Sequence, residues 1–329
     1  MEFKYIVEEK HNARKVADVL VAVFGISALM QKRIRLYGNL WVNGKDYRMV
    51  DLVYTNDVII AHPSKDSREL IPAYINKVTG IEILFEDDHV LVVNKPSDLV
   101  VHPTMSHPNQ TLIDLLSDEK LHTVTRLDRE TSGAMIIAKH GHAHHRISQK
   151  PIKRIYWALT HGLWLNKRGV IDAPIRRSQD SIMIRIVDQE GREALTDYKV
   201  KAQHQKMNYS WLEFQLRTGR THQIRVHSLF NGHPLLGDGL YGLSDYYTSG
   251  GEQFLIKKIK DLDPKRIEIN KQKTFRKLLS SEQIKLDLSI KRQALHAKTI
   301  GFIHPIKNEY MEFEAALPED MDILISKTR

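Results

Sequence analysis

The stretch VTRLDRETSG at residues 124–133 runs directly into the apolar segment AMIIA at residues 134–138. Thr, Ser and Gly at its end can form a tight turn through local hydrogen bonds, and the apolar segment predicts a buried strand. A rigid strand would hold Asp128 in one direction at the rim of a sheet, where functional side chains often lie. However, Asp128 has an arginine nearby on each side, and such a group is often only a solvated ion pair.

Strand patterns outnumber helix patterns around this stretch. Runs of branched and aromatic residues predict strands at 81–85, 90–93, 135–138, 156–159, 182–187, 198–202, 211–216 and 300–303. Helical patterns cover residues 111–116, 142–149 and 222–230. Because strands and helices rarely alternate one for one, we predict an α+β domain with a mixed, largely antiparallel sheet, and not a doubly wound fold.

The N-terminal residues follow a different pattern. An amphipathic helix is predicted from Ala13, and a second helix over residues 27–36 carries Lys32 and Arg33. A short strand, an Asn-Gly turn and another strand follow the helices. A compact module with a basic helix could contact a phosphate backbone, although the same pattern is typical of a generic small domain.

A polar segment without apolar periodicity follows this module and predicts a linker. We therefore predict a small N-terminal α/β module at residues 1–62, a linker at 63–79 and a second, larger domain at 80–329.

Composition narrows the functional classes. The 329 residues include 49 Lys and Arg against 40 Asp and Glu, and the net charge of +9 favours a polyanionic partner. The absence of cysteine excludes disulfides, thiolate nucleophiles, iron–sulfur clusters and Cys-ligated zinc. The first residues lack the pattern of a signal peptide, and no early apolar stretch is long enough to span a membrane, so we expect a cytoplasmic protein that does not bind a membrane.

Five motifs follow one another along the second domain: RLDxxTSG at 126–133, KxxYxA at 153–158, TGRTHQIRVH at 218–227, HPLLGDxxYG at 233–242 and LHAxxIxFxHP at 295–305. In this order they resemble the pseudouridine synthase family that includes bacterial enzymes acting on large-subunit ribosomal RNA and on transfer RNA. The resemblance covers residues 81–318. Residues 13–61 look like the alpha-L RNA-binding module, which many members of this family carry at that place.

The resemblance implies roles for individual residues. The catalytic aspartate of the family falls on Asp128, its active-site tyrosine on Tyr156, and the arginine that pairs with the aspartate on Arg225. Arg126 matches a residue that helps to open the target site and fills the space left by the flipped base. The other predicted contacts to RNA or substrate are Lys95, Arg220, His222, Gln223, Lys32 and Arg33.

The reaction of the family breaks the bond from ribose to uracil N1 and rejoins the base through C5, so the resemblance implies no cofactor. A carboxylate can begin this reaction as a nucleophile at the sugar carbon, as a nucleophile at base C6, or as a general base. A pocket that also holds a stacked base disfavours an ionised Asp128, and a fixed guanidinium such as that of Arg225 would counteract this. Tyr156 offers a ring for stacking and a hydroxyl for proton transfer.

Some positions depart from the family pattern. Thr125 replaces the usual His before Arg-Leu-Asp, and Asp98 replaces the usual Gly after Lys-Pro-Ser, so we expect neighbouring loops to differ in shape. Residues 244–292 replace a shorter link and contain 12 Lys and Arg against 7 acidic residues. This basic insertion could grip RNA, or it could be a charged, partly disordered surface segment.

We therefore predict an enzyme that isomerises specific uridines in structured RNA, with large-subunit (23S) ribosomal RNA favoured over tRNA. We expect base flipping, no metal and a monomer. The histidines at 140–145 are predicted to lie on an exposed helix without a metal. The alternatives are a non-catalytic RNA-binding protein for ribosome assembly and an N-glycosidase that releases the base.

Overall fold

A computed structural model of the chain describes residues 2–62, 74–75, 79–105, 107–117, 119–179, 181–242 and 281–328. Most of the predicted linker, and the predicted insertion up to residue 280, lie outside these ranges. The domain boundaries therefore stay a prediction.

The N-terminal residues form a small antiparallel sheet beside two helices. The elements are β1 (Phe3–Ile6), a 3₁₀ turn (Glu9–His11), β2 (Arg14–Lys15), α1 (Val16–Phe24), α2 (Ala28–Tyr37), β3 (Asn39–Val42), β4 (Lys45–Asp46), β5 (Leu52–Val53) and β6 (Val58–His62). Four strands pair in the order β1–β6–β3–β4, and β2 pairs with β5. Val16, Val19 and Leu20 lie at helical spacing and are fully buried in one apolar cluster with the sheet. The two predicted helices are confirmed.

A larger mixed sheet follows. The strands in this part are β7 (Tyr74–Ile75), β8 (Glu82–Glu86), β9 (Val90–Lys95), β10 (His122–Thr123), β11 (Ser132–Ala138), β12 (Lys153–His161), β13 (Arg168–Asp172), β14 (Ile175–Arg177), β15 (Arg185–Val187), β16 (Leu195–His204), β17 (Tyr209–Leu216), β18 (Leu295–Ile303) and β19 (Tyr310–Glu314). Nine strands pair in the order β13–β16–β17–β12–β18–β11–β9–β8–β7, with β10 beside β11 and β19 beside β18. β14 and β15 form a separate hairpin.

Only the pairing of β11 with β18 is parallel among the described strands of this sheet. The predicted α+β class with a largely antiparallel sheet is therefore confirmed. The strand predicted at 182–187 is shorter than expected, because only residues 185–187 pair. The sequence patterns also failed to reveal β1, β13, β14 and β19, whose alternating or short apolar runs give weak signals.

Helices cover both faces of the sheet. They are α3 (Leu112–Leu116), α4 (Gly141–Ser148), α5 (Gln223–Phe230), α6 (Ser281–Leu288) and α7 (Glu319–Ser326). Successive residues of β11 enter different cores: Met135 packs in a cluster with Leu112 of α3, and Ile136 packs in a cluster with Ile147 of α4. Burial on both faces explains why residues 134–138 of the strand are all apolar. The longest described helix, α2, has 10 residues, about half of what a membrane span requires.

The close approach of β11 and β18 positions the loop before β11. Gly133 has φ +118°, and a Cβ atom there would lie 2.3 Å from the carbonyl oxygen of Ala297. Only glycine satisfies both conditions, since other residues rarely adopt this φ and their Cβ would clash. The TSG end of the RLDxxTSG motif therefore brings the Asp128 loop against β18, which pairs on its other side with β12, the strand of Tyr156.

Candidate active site

Lys95 stabilises the loop that carries Asp128. The Lys95 ammonium is fully buried and donates to the carbonyl oxygens of Pro96, Leu99 and Arg129 at 2.7–2.9 Å. Burial lowers the pKa of Lys95 to about 7, whereas three carbonyl acceptors match the three protons of an ammonium group. Lys95 was predicted to contact RNA, and the structure does not support that role, because its side chain stabilises the backbone of the loop.

Asp128 forms an ion pair with Arg225 of α5. The Arg225 Nη1 group donates to Asp128 Oδ2 at 2.8 Å, and the Asp128 side chain keeps 28% of its surface exposed. The remaining donors of Arg225 serve Asp238, with Nε at 2.7 Å and Nη2 at 2.8 Å from its two carboxylate oxygens. Burial alone would lower the pKa of Arg225, but Asp238 and Asp128 raise it well above its ordinary value. The structure thus brings the predicted site residues Asp128 and Arg225 into contact, and it shows Asp238 as a further partner of Arg225.

Asp238 is itself completely buried and accepts four hydrogen bonds. Besides Arg225, the backbone N–H groups of Leu240 and Tyr241 donate to Oδ1 at 2.9 Å. Burial opposes ionisation of this carboxyl, but Arg225 and the two N–H groups together lower its pKa. Asp238 lies between two glycines in the sequence GDGLYG. A charged residue at such a place in a motif is the signal that could have identified Asp238 as a site residue.

Tyr156 lines the same cleft from β12. The pairing of β12 with β18 shifts by one residue between Ile155 and Tyr156, and such a bulge changes the direction of the next side chain. Only 8% of Tyr156 is exposed, and its hydroxyl has no hydrogen-bond partner among the described residues. Burial raises the pKa of Tyr156 to about 12. Its hydroxyl is therefore protonated at neutral pH and is available to a ligand.

His222 lies at the start of α5 and faces Asp128. Its backbone is in the left-handed region at φ +57°, its Nδ1 lies 2.8 Å from the Tyr241 hydroxyl, and its Nε2 lies 3.8 Å from Asp128 Oδ2. Burial lowers the pKa of His222. The ring is thus neutral at neutral pH, and an Nε2–H tautomer would direct its proton at the carboxylate.

One small open cleft brings most of the predicted residues together. Its empty volume is about 370 Å³, and its lining includes Asp128, Tyr156, Arg225, Arg126, Arg220, His222 and Gln223. Arg126 is exposed and makes no hydrogen bond or ion pair within the described ranges. Arg220 donates from Nε to the carbonyl oxygen of Glu193 at 2.7 Å.

Gln223 also does not fit its predicted contact with RNA. Only 2% of the residue is exposed, and its amide nitrogen donates to Leu195 O and Thr196 Oγ1. Its oxygen accepts from the Arg220 N–H and the Thr218 hydroxyl. Gln223 therefore connects the TGR turn to β16.

The remaining predictions concern other parts of the chain. Lys32 and Arg33 lie on α2, but their side chains lie outside the part of the chain that the structure describes. The histidine cluster of α4 is partly buried, contrary to the prediction of an exposed helix: His142 is 2% exposed, and His140 caps the helix and contacts His89. No group of three or more potential ligands that could hold a metal occurs within the described residues.

Fold and site together define a class of protein. It is an α+β protein in which a carboxylate paired with a guanidinium lies in one cleft with a buried tyrosine. A family model described as RNA pseudouridylate synthase matches residues 89–229. The chain is 35% identical over 301 residues to the uncharacterized RNA pseudouridine synthase YjbO of Bacillus subtilis, which covers 88% of this chain and 90% of that protein. It is 33% identical over 289 residues to the ribosomal large subunit pseudouridine synthase D of Zymomonas mobilis, covering 82% of this chain and 77% of that protein.

A solved structure agrees with this fold. The human RNA pseudouridylate synthase domain containing 1 has a TM-score of 0.52 and 23% sequence identity, and the match covers 74% of this chain and 86% of that chain. The chain belongs to the RNA pseudouridine synthase family, and it is accordingly an isomerase that acts on RNA.

Proposed function

We propose that this protein converts specific uridines of large-subunit ribosomal RNA to pseudouridine, and that Asp128 begins the reaction. The observation that carries the proposal is the Asp128–Arg225 ion pair of 2.8 Å in the cleft that Tyr156 also lines. The name of the relative from Zymomonas mobilis, ribosomal large subunit pseudouridine synthase D, supports the choice of RNA.

The reaction moves one bond within the substrate. The bond between C1′ and uracil N1 breaks, the base turns, and a bond between C1′ and C5 forms. The hydrogen on C5 leaves as a proton and N1 takes up a proton, so the product is an isomer of the substrate. Asp128 can start these steps as a nucleophile at C1′ or C6, or as a general base. All three routes need an oriented carboxylate, and the hydrogen bond from Arg225 to Asp128 Oδ2 at 2.8 Å orients it.

Tyr156 is proposed to stack on the uracil ring and to take part in proton transfer. Because its pKa is raised to about 12, the hydroxyl enters the reaction as a phenol and can donate its proton at neutral pH. Its lack of a protein hydrogen-bond partner within the described residues leaves this donor free for the base.

The target uridine has to leave its stack before Asp128 can reach it, which requires a few kcal/mol. Arg126 is proposed to fill the space left by the base, since it is exposed at the cleft and has no hydrogen-bonded protein partner among the described residues. The N-terminal module and its basic helix α2 are proposed to add contacts to the RNA backbone. A monomer in the cytoplasm is our expectation for the working form.

The proposal is tested by tritium release from RNA that carries 5-tritiated uridine and lacks the modification. We expect release from ribosomal RNA by the wild type without an added cofactor, and at least about a 10³-fold lower rate with Asp128→Asn, which keeps the shape but removes the charge. Asp98→Asn is the matched control. Asp98 is an exposed carboxylate that pairs with Arg129 and does not line the cleft.

Each alternative has its own outcome. Release from tRNA alone would replace the proposed target, and abasic sites without pseudouridine would indicate an N-glycosidase. Tight binding to RNA without release from any RNA would support the non-catalytic assembly factor. Equal rates for the wild type and Asp128→Asn would remove Asp128 from its role.

A further inference from the structure

A buried polar cluster lies outside the cleft, between β12 and α6. It consists of His161, Gln283 and Asp287, which are 0%, 2% and 2% exposed, and none of them lines the cleft. Buried groups of this kind are costly unless they are paired, so their arrangement has to be accounted for. The motifs of the family resemblance do not include Gln283 or Asp287.

Hydrogen bonds connect the three side chains of the cluster. The Gln283 amide nitrogen donates to Met207 O at 2.6 Å, which leaves the amide oxygen facing His161 Nδ1 at 2.8 Å. His161 Nε2 lies 2.7 Å from Asp287 Oδ1. His161 therefore connects the side chains of Gln283 and Asp287 through its two ring nitrogens.

The Asp287 Oδ1 atom that contacts His161 also accepts a backbone hydrogen bond. The backbone N–H of Gly237 donates to Asp287 Oδ1 at 2.8 Å. Gly237 has φ +65°, and a Cβ atom there would lie 2.2 Å from Arg292 O. Gly237 is thus enclosed between the carboxylate of α6 and the backbone that follows this helix.

The next residue of the chain is Asp238. Its carboxylate takes two donors of Arg225, and the third donor of that guanidinium holds Asp128. Asp287 of α6 is therefore hydrogen-bonded to Gly237, which is followed in the chain by Asp238. Asp238 is in turn connected to Asp128 through the Arg225 guanidinium.

We propose that Asp287 is a positioning residue: by holding His161 and the Gly237 N–H, it fixes the turn that presents Asp238 to Arg225. This inference rests on the proposed roles of Asp128 and Arg225. Without the carboxylate, the Gly237 N–H loses its buried acceptor and the turn shifts. Small displacements at a reacting group lower rates steeply, so the step on the RNA should suffer while RNA binding should not.

The test compares the single-turnover rate constant at saturating RNA with the RNA dissociation constant. For Asp287→Ala we expect a rate about tenfold lower or more, with affinity unchanged within about twofold. Asp287→Asn should recover most of the rate, because its amide oxygen can still accept from the Gly237 N–H. Leu286→Ala is the matched control, since Leu286 is buried on the same helix and makes only apolar contacts with the core.

Two further variants keep the inference testable if Asp287→Ala does not fold and separate its effect from that of Asp238. If Asp287→Ala does not fold, the double variant His161→Leu/Asp287→Leu replaces both buried polar side chains by apolar ones and still leaves the Gly237 N–H without its acceptor, so we expect the same loss of rate. In an Asp238→Asn background, Asp287→Ala should add little, because both changes release Arg225.

Several results would overturn the inference. One is an unchanged single-turnover rate in Asp287→Ala. Another is an equal loss of rate in Leu286→Ala at equal stability. The third is that Asp287→Ala lowers the rate in the Asp238→Asn background as much as it does in the wild type. A wild type that forms no pseudouridine in any RNA would instead overturn the proposed function, so the two failures are distinguishable.

Discussion

The Arg225 guanidinium divides its donors between two carboxylates with different surroundings. Asp238 is fully buried and Asp128 is partly open to the cleft, so one carboxylate fixes the guanidinium and the other remains available to a ligand. The planar fork of arginine suits this double contact, which a lysine ammonium cannot reproduce.

Arg225→Lys tests this division. A lysine keeps the positive charge and satisfies the buried Asp238, but it cannot reach both carboxylates with fixed geometry. We expect a single-turnover rate about 10²-fold lower, with RNA affinity unchanged within about twofold. The measurement is tritium release together with RNA binding by filter retention, and a wild-type rate would contradict the role of Arg225. Arg225→Met is less suitable, because it leaves Asp238 buried without a cation.

Tyr156→Phe separates stacking from proton transfer. Phenylalanine keeps the ring and removes the hydroxyl, whose pKa is raised to about 12 by burial. We expect about a 10²-fold loss in single-turnover rate with RNA affinity retained, as is typical of a lost proton donor. Full activity in Tyr156→Phe would leave stacking as the only role of this residue. Tyr209→Phe is a control, since Tyr209 is a buried tyrosine whose hydroxyl donates to Leu324 O.

Asp98 shows how a departure from the family pattern is accommodated. It replaces an expected Gly and has φ +60°, a backbone region that Asp adopts more readily than most residues. Its carboxylate also forms an ion pair with Arg129, with 3.1 Å between Oδ1 and Nε. The loop therefore keeps a conformation that glycine would also allow.

At the scale of elements, the pairing of β11 with β18 depends on a residue without a side chain. Gly133→Ala places a Cβ atom 2.3 Å from Ala297 O in an unfavourable φ region. We expect a loss of about 2–4 kcal/mol in the free energy of unfolding, measured by urea denaturation. Gly239→Ala is the control, because nothing lies within 4 Å of its Cβ position. Equal stability of the two variants would show that the two strands can separate without loss.

Helix α6 changes the interpretation of the basic insertion. It lies within the segment 244–292, yet Leu286 and Asp287 are buried and Ile290 packs in the same core as Leu286. Part of residues 281–292 therefore packs in the core, and the alternative of a charged, partly disordered surface segment stays a prediction. The role in RNA gripping stays a prediction for residues 244–280, which lie outside the described ranges.

At the scale of the whole molecule, buried histidines should make stability depend on pH. Burial lowers the pKa to about 4 in each of four histidines: His89, His142, His227 and His296. In the unfolded chain the pKa is about 6.5. The unfolded state therefore binds more protons between about pH 6.5 and pH 4, and folded stability is present above this window and falls as the pH is lowered through it.

The expected loss is about 2–3 kcal/mol for each of these histidines by pH 4.5, measured as the free energy of unfolding against pH. His142→Leu should make the dependence shallower without loss of stability at pH 7, because neither ring nitrogen of His142 has a hydrogen-bond partner among the described residues. An unchanged pH dependence in His142→Leu would contradict the assignment of this residue.

The sequence by itself determined the α+β class, the family and the positions of Asp128, Tyr156 and Arg225. The fold class follows from local patterns, since apolar periodicity predicts strands. The family and the three positions follow from the resemblance of the ordered motifs to that family. Only the tertiary structure decided the partners of buried polar groups. Lys95 and Gln223 are residue types that often contact RNA, but both are enclosed by protein. The contacts of Asp238 with Arg225 and of Asp287 with Gly237 are visible only in the folded chain. The physical reason is distance along the chain: Arg225 lies 97 residues from Asp128, and Asp287 lies 126 residues from His161, so no local pattern reports these contacts.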